Sequence, residues 1–146
     1  KGMNPKDLII DIETKPAGPK VAHRLQIAEE EQVIVLTRLR CANDEPIILE
    51  SSYIPQTVIP ELTREKLEKT SLYDYMEQEY GVFVSSAKEI FEPVLVRSDE
   101  SRYLQVEVGS PALLLERVAY NTEHKPVEFC HSIVRGDRCR FYTELI

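Results

Sequence analysis

One pattern occurs twice in this chain. L-Q-I at residues 25–27 returns as L-Q-V at 104–106, with Leu104 following Leu25 by 79 positions. At that spacing Val33 matches Ala112 and Arg38 matches Arg117. One extra turn residue later, Pro46 matches Pro126, Ile47 matches Val127 and Ser52 matches Ser132. Each unit reads as a helix end, a strand, a polar turn, a proline and a returning strand. Two ordinary hairpins can agree by coincidence, but the shared L-Q and Arg…Pro positions favour a repeat. Two such units predict an α+β fold with a central antiparallel sheet, flanking helices and rough two-fold internal symmetry. A sheet of that kind offers two clefts or one shared crevice.

The rest of the chain fits around these units. Residues 8–14 alternate β-branched residues with acids and read as a strand, stopped by Pro16, Gly18 and Pro19. Residues 20–26 form a short helix with Val21, Ala22 and Leu25 on one face. Strands over 32–41 and 46–54 flank the turn-rich Asn43-Asp44-Glu45 as a hairpin. Residues 62–69 are weakly helical. The strongest helix is 71–80, with Ser71 as cap, Asp74 three residues on and Gly81 at its end. Residues 82–96 read as extended and 98–105 as a short helix. A second hairpin spans 112–121 and 126–135, and a last extended segment covers 138–146.

Charge narrows the function. The chain of 146 residues carries a net charge of -7, the wrong sign for gripping a phosphodiester backbone. No apolar run reaches the length of a membrane span, and no secretory segment opens the chain. Its three cysteines, Cys41, Cys130 and Cys139, are odd in number and make no C-x-x-C, which suits reduced thiols in the cytoplasm. The chain opens at Lys1 with Met3 just inside, so a piece of a longer protein, or a tag remnant, is expected.

Three places carry candidate chemistry. Arg38 and Arg40 lie two apart on a strand, so both guanidiniums project from one face. Such a pair clamps a carboxylate or phosphate through paired, charge-assisted hydrogen bonds. Otherwise it is the solvated face of an edge strand, paired with Glu50 across the hairpin. Thr70, Ser71 and Tyr73 open the strongest helix, whose free N–H groups suit an anion; the plainer role is capping. Glu128 occupies the slot of Ile48 in the repeat, as a carboxylate acceptor for ligand hydroxyls or amines, or else as a surface salt bridge. His23, His124 and His131 have no metal-like spacing, and no cofactor is expected. Arg135-Gly136-Asp137 is read as a turn between strands, with Gly136 supplying the permissive backbone.

Taken in order, R-L-R-C-A-N-D-E-P-I (38–47), E-S-S-Y-I-P (50–55), S-L-Y-D-Y-M-E-Q-E-Y-G (71–81), G-S-P-A-L-L-L-E-R (109–117), P-V-E (126–128) and R-G-D-R-C-R-F-Y (135–142) resemble the UTRA domain. That domain is the effector-sensing half of HutC-subfamily GntR transcription regulators. The resemblance implies a chorismate-lyase-like fold and a single domain over 1–146. It also implies a separate N-terminal winged helix-turn-helix that reads operator DNA, usually as a homodimer. It implies that Arg38, Arg40, Glu50, Ser71, Tyr73 and Glu128 line the effector pocket. Members that sense aminosugar phosphates carry an aromatic residue where this chain has Val134, so the expected effector is a small anionic metabolite, a sugar phosphate or an organic acid. Two other functions stay open: a lyase-like enzyme acting on an aromatic or enolpyruvyl acid, and a dimerisation module without a ligand.

Overall fold

Apolar alternation is strong enough to make six strands, and the computed structural model describes them within residues 5–146. In chain order they are β1 (Pro5–Pro16), α1 (Gly18–Leu25), β2 (Gln32–Ala42), β3 (Glu45–Pro55), α2 (Arg64–Lys69), α3 (Leu72–Tyr80), β4 (Val84–Leu95), α4 (Ser98–Leu104), β5 (Pro111–Asn121) and β6 (Pro126–Arg135). A short 3-10 turn over Gly136–Arg138 follows. The strands form one antiparallel sheet in the order β1-β2-β3-β6-β5-β4.

That order is the repeat made visible. β1-α1-β2-β3 and β4-α4-β5-β6 meet at the β3–β6 pair, where Ser51 lies opposite His131, its own counterpart 80 positions on. A pseudo-two-fold axis therefore passes between these two residues. The correspondence extends to backbone detail. Gln26 and Gln105 both end their helices in the left-handed region, at φ 58° and 59°. The Ala17 N–H donates to Glu31 O, and at the equivalent positions the Val96 N–H donates to Ser110 O, both at 2.9 Å.

Each face of the sheet has its own cover. On one face α3 sets Leu72, Tyr75 and Met76 against Ile34, Leu36, Ile54, Ala119 and Val127. On the other, α1 packs Val21, Ala22 and Leu25 on Val33, Val35, Val118, Tyr120 and Phe129. Alongside it Leu104 of α4 joins Leu39, Cys41, Ala112 and Ile133. Full burial of a side chain such as Leu25 or Phe129 contributes about 1.5–3 kcal/mol.

Several expectations change here. β1 runs longer than 8–14 and carries a β-bulge, its register shifting between Ile9 and Asp11. Before the bulge Asp7 and Ile9 lie opposite Arg40 and Arg38; after it Ile12 and Thr14 lie opposite Leu36 and Ile34. The extra residue, Ile10, thus swaps which parity of the strand faces α3. Residues 139–146 form no strand. β6 is already paired on both sides, so it offers no edge to a segment that follows it directly. Phe141 instead meets Phe91 of β4 edge-on, with centroids 5.4 Å apart. Arg135-Gly136-Asp137 is a turn, yet not one between strands, and Gly136 is not in the left-handed region. It is needed because a Cβ there would lie 2.6 Å from the Pro111 carbonyl oxygen.

Candidate functional site

The period of two sets the site's floor. Arg38 and Arg40 point from β2 to the face that α3 covers, and Glu50 of β3 sits directly opposite Arg38. The Arg38 Nη2 donates to Glu50 Oε2 at 3.0 Å, and the Arg40 Nη1 donates to Glu50 Oε1 at 3.4 Å. Glu50 is 5% exposed. Burial works against its charge, but the two arginines outweigh it and hold the carboxyl below the usual carboxylate range. The bulge in β1 brings a second carboxylate to the same guanidiniums. Asp7 Oδ1 accepts from Arg40 Nε at 3.1 Å, and Asp7 Oδ2 lies 3.8 Å from Arg38 Nη1. Each arginine is thus shared between one buried and one half-exposed acid.

The start of α3 forms the wall. Ser71 is its N-cap, and the Ser71 hydroxyl accepts from the Asp74 N–H at 3.2 Å. That leaves the hydroxyl proton to donate elsewhere. Two residues on, the Tyr73 hydroxyl donates to Glu128 Oε1 at 2.5 Å. Glu128, on β6, is 1% exposed. Burial first, then the Glu128 charge, raise the Tyr73 hydroxyl far above its ordinary range. Between these groups lies the Cys130 thiol, pushed up to about 12 by burial and by Glu50 and Glu128, so it stays a thiol at neutral pH.

Arg38, Arg40, Glu50, Ser71, Tyr73 and Glu128 all line one inner pocket of about 160 Å³, with Leu72 and Arg117. The six residues singled out in the sequence therefore meet in one place. Arg38 is not on a solvated edge strand, since β2 lies inside the sheet with the Arg38 side chain 11% exposed. Glu128 is no surface salt bridge. Ser71 both caps and lines the pocket. An adjoining outer cavity of about 580 Å³ shares Arg38, Arg40, Ser71 and Leu72 and adds Lys6, Asp7, Lys69 and Thr70. That volume suits a small metabolite. Val134, buried between Ile48 and Leu113, is not among the lining residues.

Two functional candidates escaped the sequence reading. Arg117 was matched to Arg38 by the repeat, and the same match places it on this face. The Nε atoms of Arg38 and of Arg117 are buried with no hydrogen-bond partner among the described residues. Two guanidinium donors without acceptors point to an acidic or oxygen-rich guest. Asp7 was missed because a bulge leaves no mark in the alternation. On the far face Glu116 gathers Lys20 at 2.8 Å, Arg24 at 2.7 Å and His131 at 4.0 Å, a closed network away from the pocket. No group of histidines, cysteines or acids able to hold a metal occurs among the described residues.

Comparison with known proteins bears on the family and the fold. A family model described as the UTRA domain matches residues 1–140. The HTH-type transcriptional repressor NagR of Bacillus subtilis is 32% identical over 141 residues, covering 97% of this chain and 58% of that protein. The HTH-type transcriptional repressor STM4068 of Salmonella typhimurium is 30% identical over 132 residues, covering 88% of this chain and 53% of the other. The chain thus spans little more than half the length of these relatives. A ligand-binding domain assigned to the GntR-family transcriptional regulators, from Bordetella bronchiseptica, superposes with a TM-score of 0.91 at 26% identity, over 98% of this chain and 90% of that one. The C-terminal domain of a histidine utilization repressor from Pseudomonas syringae shares the fold, with a TM-score of 0.87 at 22% identity, over 98% of this chain and 99% of that one.

Proposed function

This chain belongs to the UTRA domain family, and from that premise we propose that it senses a small anionic metabolite for a GntR-superfamily transcription regulator of the HutC subfamily. The effector is a sugar phosphate or an organic acid. The observation that carries the reading is the convergence of Arg38, Arg40 and Arg117 on one pocket beside the start of α3. The guanidiniums and the Ser71 hydroxyl hold the anionic end. Tyr73 and Glu128 receive hydroxyl or amine groups at the other end, and Glu50 lines the pocket between them while it holds Arg38 and Arg40. The chain needs no cofactor for this. Operator DNA is read by a separate winged-helix domain of the whole protein, a cytoplasmic repressor. Effector binding shifts the populations of two arrangements of the dimer and so the spacing of its DNA-reading heads.

The dimer reading is supported by the surface. β4 is an edge strand exposed along nearly its whole length; Phe91 and Leu95 present apolar side chains on one face, with Phe141 beside Phe91, and Ile90 presents one on the other. A second copy of the chain is the occupant we assign to that face. The repressor names of the relatives favour a regulator over a lyase-like enzyme. Incubation with chorismate that yields no product supports the same choice, and turnover would reverse it. The direct test is thermal shift against sugar phosphates and organic acids, since ligand binding to the native state raises its melting point. Arg38→Ala is expected to abolish the shift given by an anion while the variant stays folded; an unchanged shift would remove the clamp.

A further inference from the structure

We infer that Asp7 occupies the anion seat of the pocket and that an incoming anion must displace it, a common penalty that a dianionic phosphate ester can overcome and a carboxylate cannot. The inference rests on the site proposed above and adds to it a competitor built into the chain. Asp7 Oδ1 and Oδ2 address Arg40 Nε and Arg38 Nη1, the guanidinium atoms that Glu50 leaves aside. Glu50 takes Arg38 Nη2 and Arg40 Nη1. The two acids differ in how firmly they are held. Glu50 is buried on an inner strand, whereas the Asp7 side chain is 38% exposed, lies on edge strand β1 and lines the outer cavity. Asp7 is the partner that can leave.

The bulge makes this placement specific. With the register that holds after Asp11, residue 7 would face away from the pocket; Ile10 turns it inward. The strand at that point is also latched from the pocket's own wall. The Arg64 Nη1 of α2 donates to the Ile9 carbonyl at 2.9 Å, and α2 leads straight into the Thr70 and Ser71 that line the cavity. Filling the anion seat therefore bears on β1 as well as on α3.

Displacement sets a threshold of charge. A ligand carboxylate would exchange one singly charged group for another, against a competitor tethered beside the seat. A phosphate ester brings close to two charges and three acceptor oxygens, enough for both freed guanidinium positions. The affinity of any anion is lowered by the fraction of molecules in which Asp7 is seated.

The test compares wild type with Asp7→Asn by isothermal titration with inorganic phosphate and with acetate, at about pH 8, where phosphate is dianionic. We expect Asp7→Asn to bind phosphate about tenfold more tightly, the factor for a seat occupied about nine-tenths of the time, and to gain measurable acetate binding that wild type lacks. In wild type, phosphate should also speed amide exchange over residues 6–9. Phosphate binding that Asp7→Asn leaves unchanged overturns the inference and leaves the site standing. Phosphate binding by neither protein overturns the inference, and anion binding that survives Arg38→Ala overturns the site and the inference with it. Should Asp7→Asn not fold, wild-type exchange decides alone, and no gain on adding phosphate overturns the displacement.

Discussion

Glu50 shows how much of this molecule hangs on single side chains. It is a buried carboxylate that neutralises Arg38 and Arg40. Removing it leaves the Arg38 charge in a poorly solvated place, which typically costs about 3–5 kcal/mol for a buried pair. Glu50→Ala should therefore lower stability in urea by the low end of that range, since Arg38 retains Asp7. Because the folded carboxyl is held low, its contribution is present above the unfolded carboxylate range, near pH 4.3. It is lost as pH falls through the lower folded value. Wild type should then lose stability more steeply than Glu50→Ala through that acid window, as chemical denaturation at a series of pH values will read. The thiols are graded in the same physical terms. Cys41 and Cys130 are buried, Cys139 is not, and all three are free; burial also raises the Cys41 thiol. Iodoacetamide at neutral pH should label Cys139 alone in the folded chain and all three in urea, as peptide mass spectrometry will show.

At the scale of elements, the two helix ends that share a left-handed glutamine make a paired prediction. A non-glycine residue in that region is strained by about 1 kcal/mol, which glycine avoids. Gln26→Gly and Gln105→Gly should each stabilise the protein by about 0.5–1 kcal/mol, and the double variant by their sum. Unequal or non-additive gains would mean that the halves are not equivalent there. These elements were legible because their signals are local: capping at Ser71, turn residues at Asn43-Asp44, and apolar spacing. The face shared by Arg38 and Arg40 was legible for the same reason, since a period of two needs no partner to be known. The meeting of Tyr73 with Glu128 was not. It depends on which strand lies under α3, a matter of sheet order that came only through family resemblance. Asp7 was hidden more completely, because an extra residue in an edge strand reverses side-chain parity without disturbing composition. The segment over 138–146 looked like a strand by propensity and lost to topology, there being no free edge beside β6.

For the whole molecule the outer strands matter most. Phe91 and Leu95 lie on β4, one of the two free edges of the sheet with β1, and edge strands of that kind pair readily with another chain. On the proposed dimer, wild type should sediment as a dimer in analytical ultracentrifugation and Phe91→Glu as a monomer with unchanged circular dichroism. A dimer of undiminished stability would move the contact elsewhere.

The helices carry a further consequence. α1 belongs to the first unit and rests on β2 of that unit and on β5 and β6 of the second; α4 belongs to the second and joins Ala112 and Ile133 of its own unit as well as Leu39, Cys41 and Leu49 of the first. A chain of half this length would keep only part of the floor under its own helix, Val33 and Val35 for α1 and Ala112 and Ile133 for α4. Each unit thus completes the floor of the other's helix. A symmetric pair would own two identical seats for an anion. In this chain Ala119 stands at the counterpart of Arg40 and Cys130 at that of Glu50, while Arg117 has kept its guanidinium and turned it towards the surviving seat. The internal symmetry of the fold is thus broken at the site, and the function proposed for it takes one guest per chain.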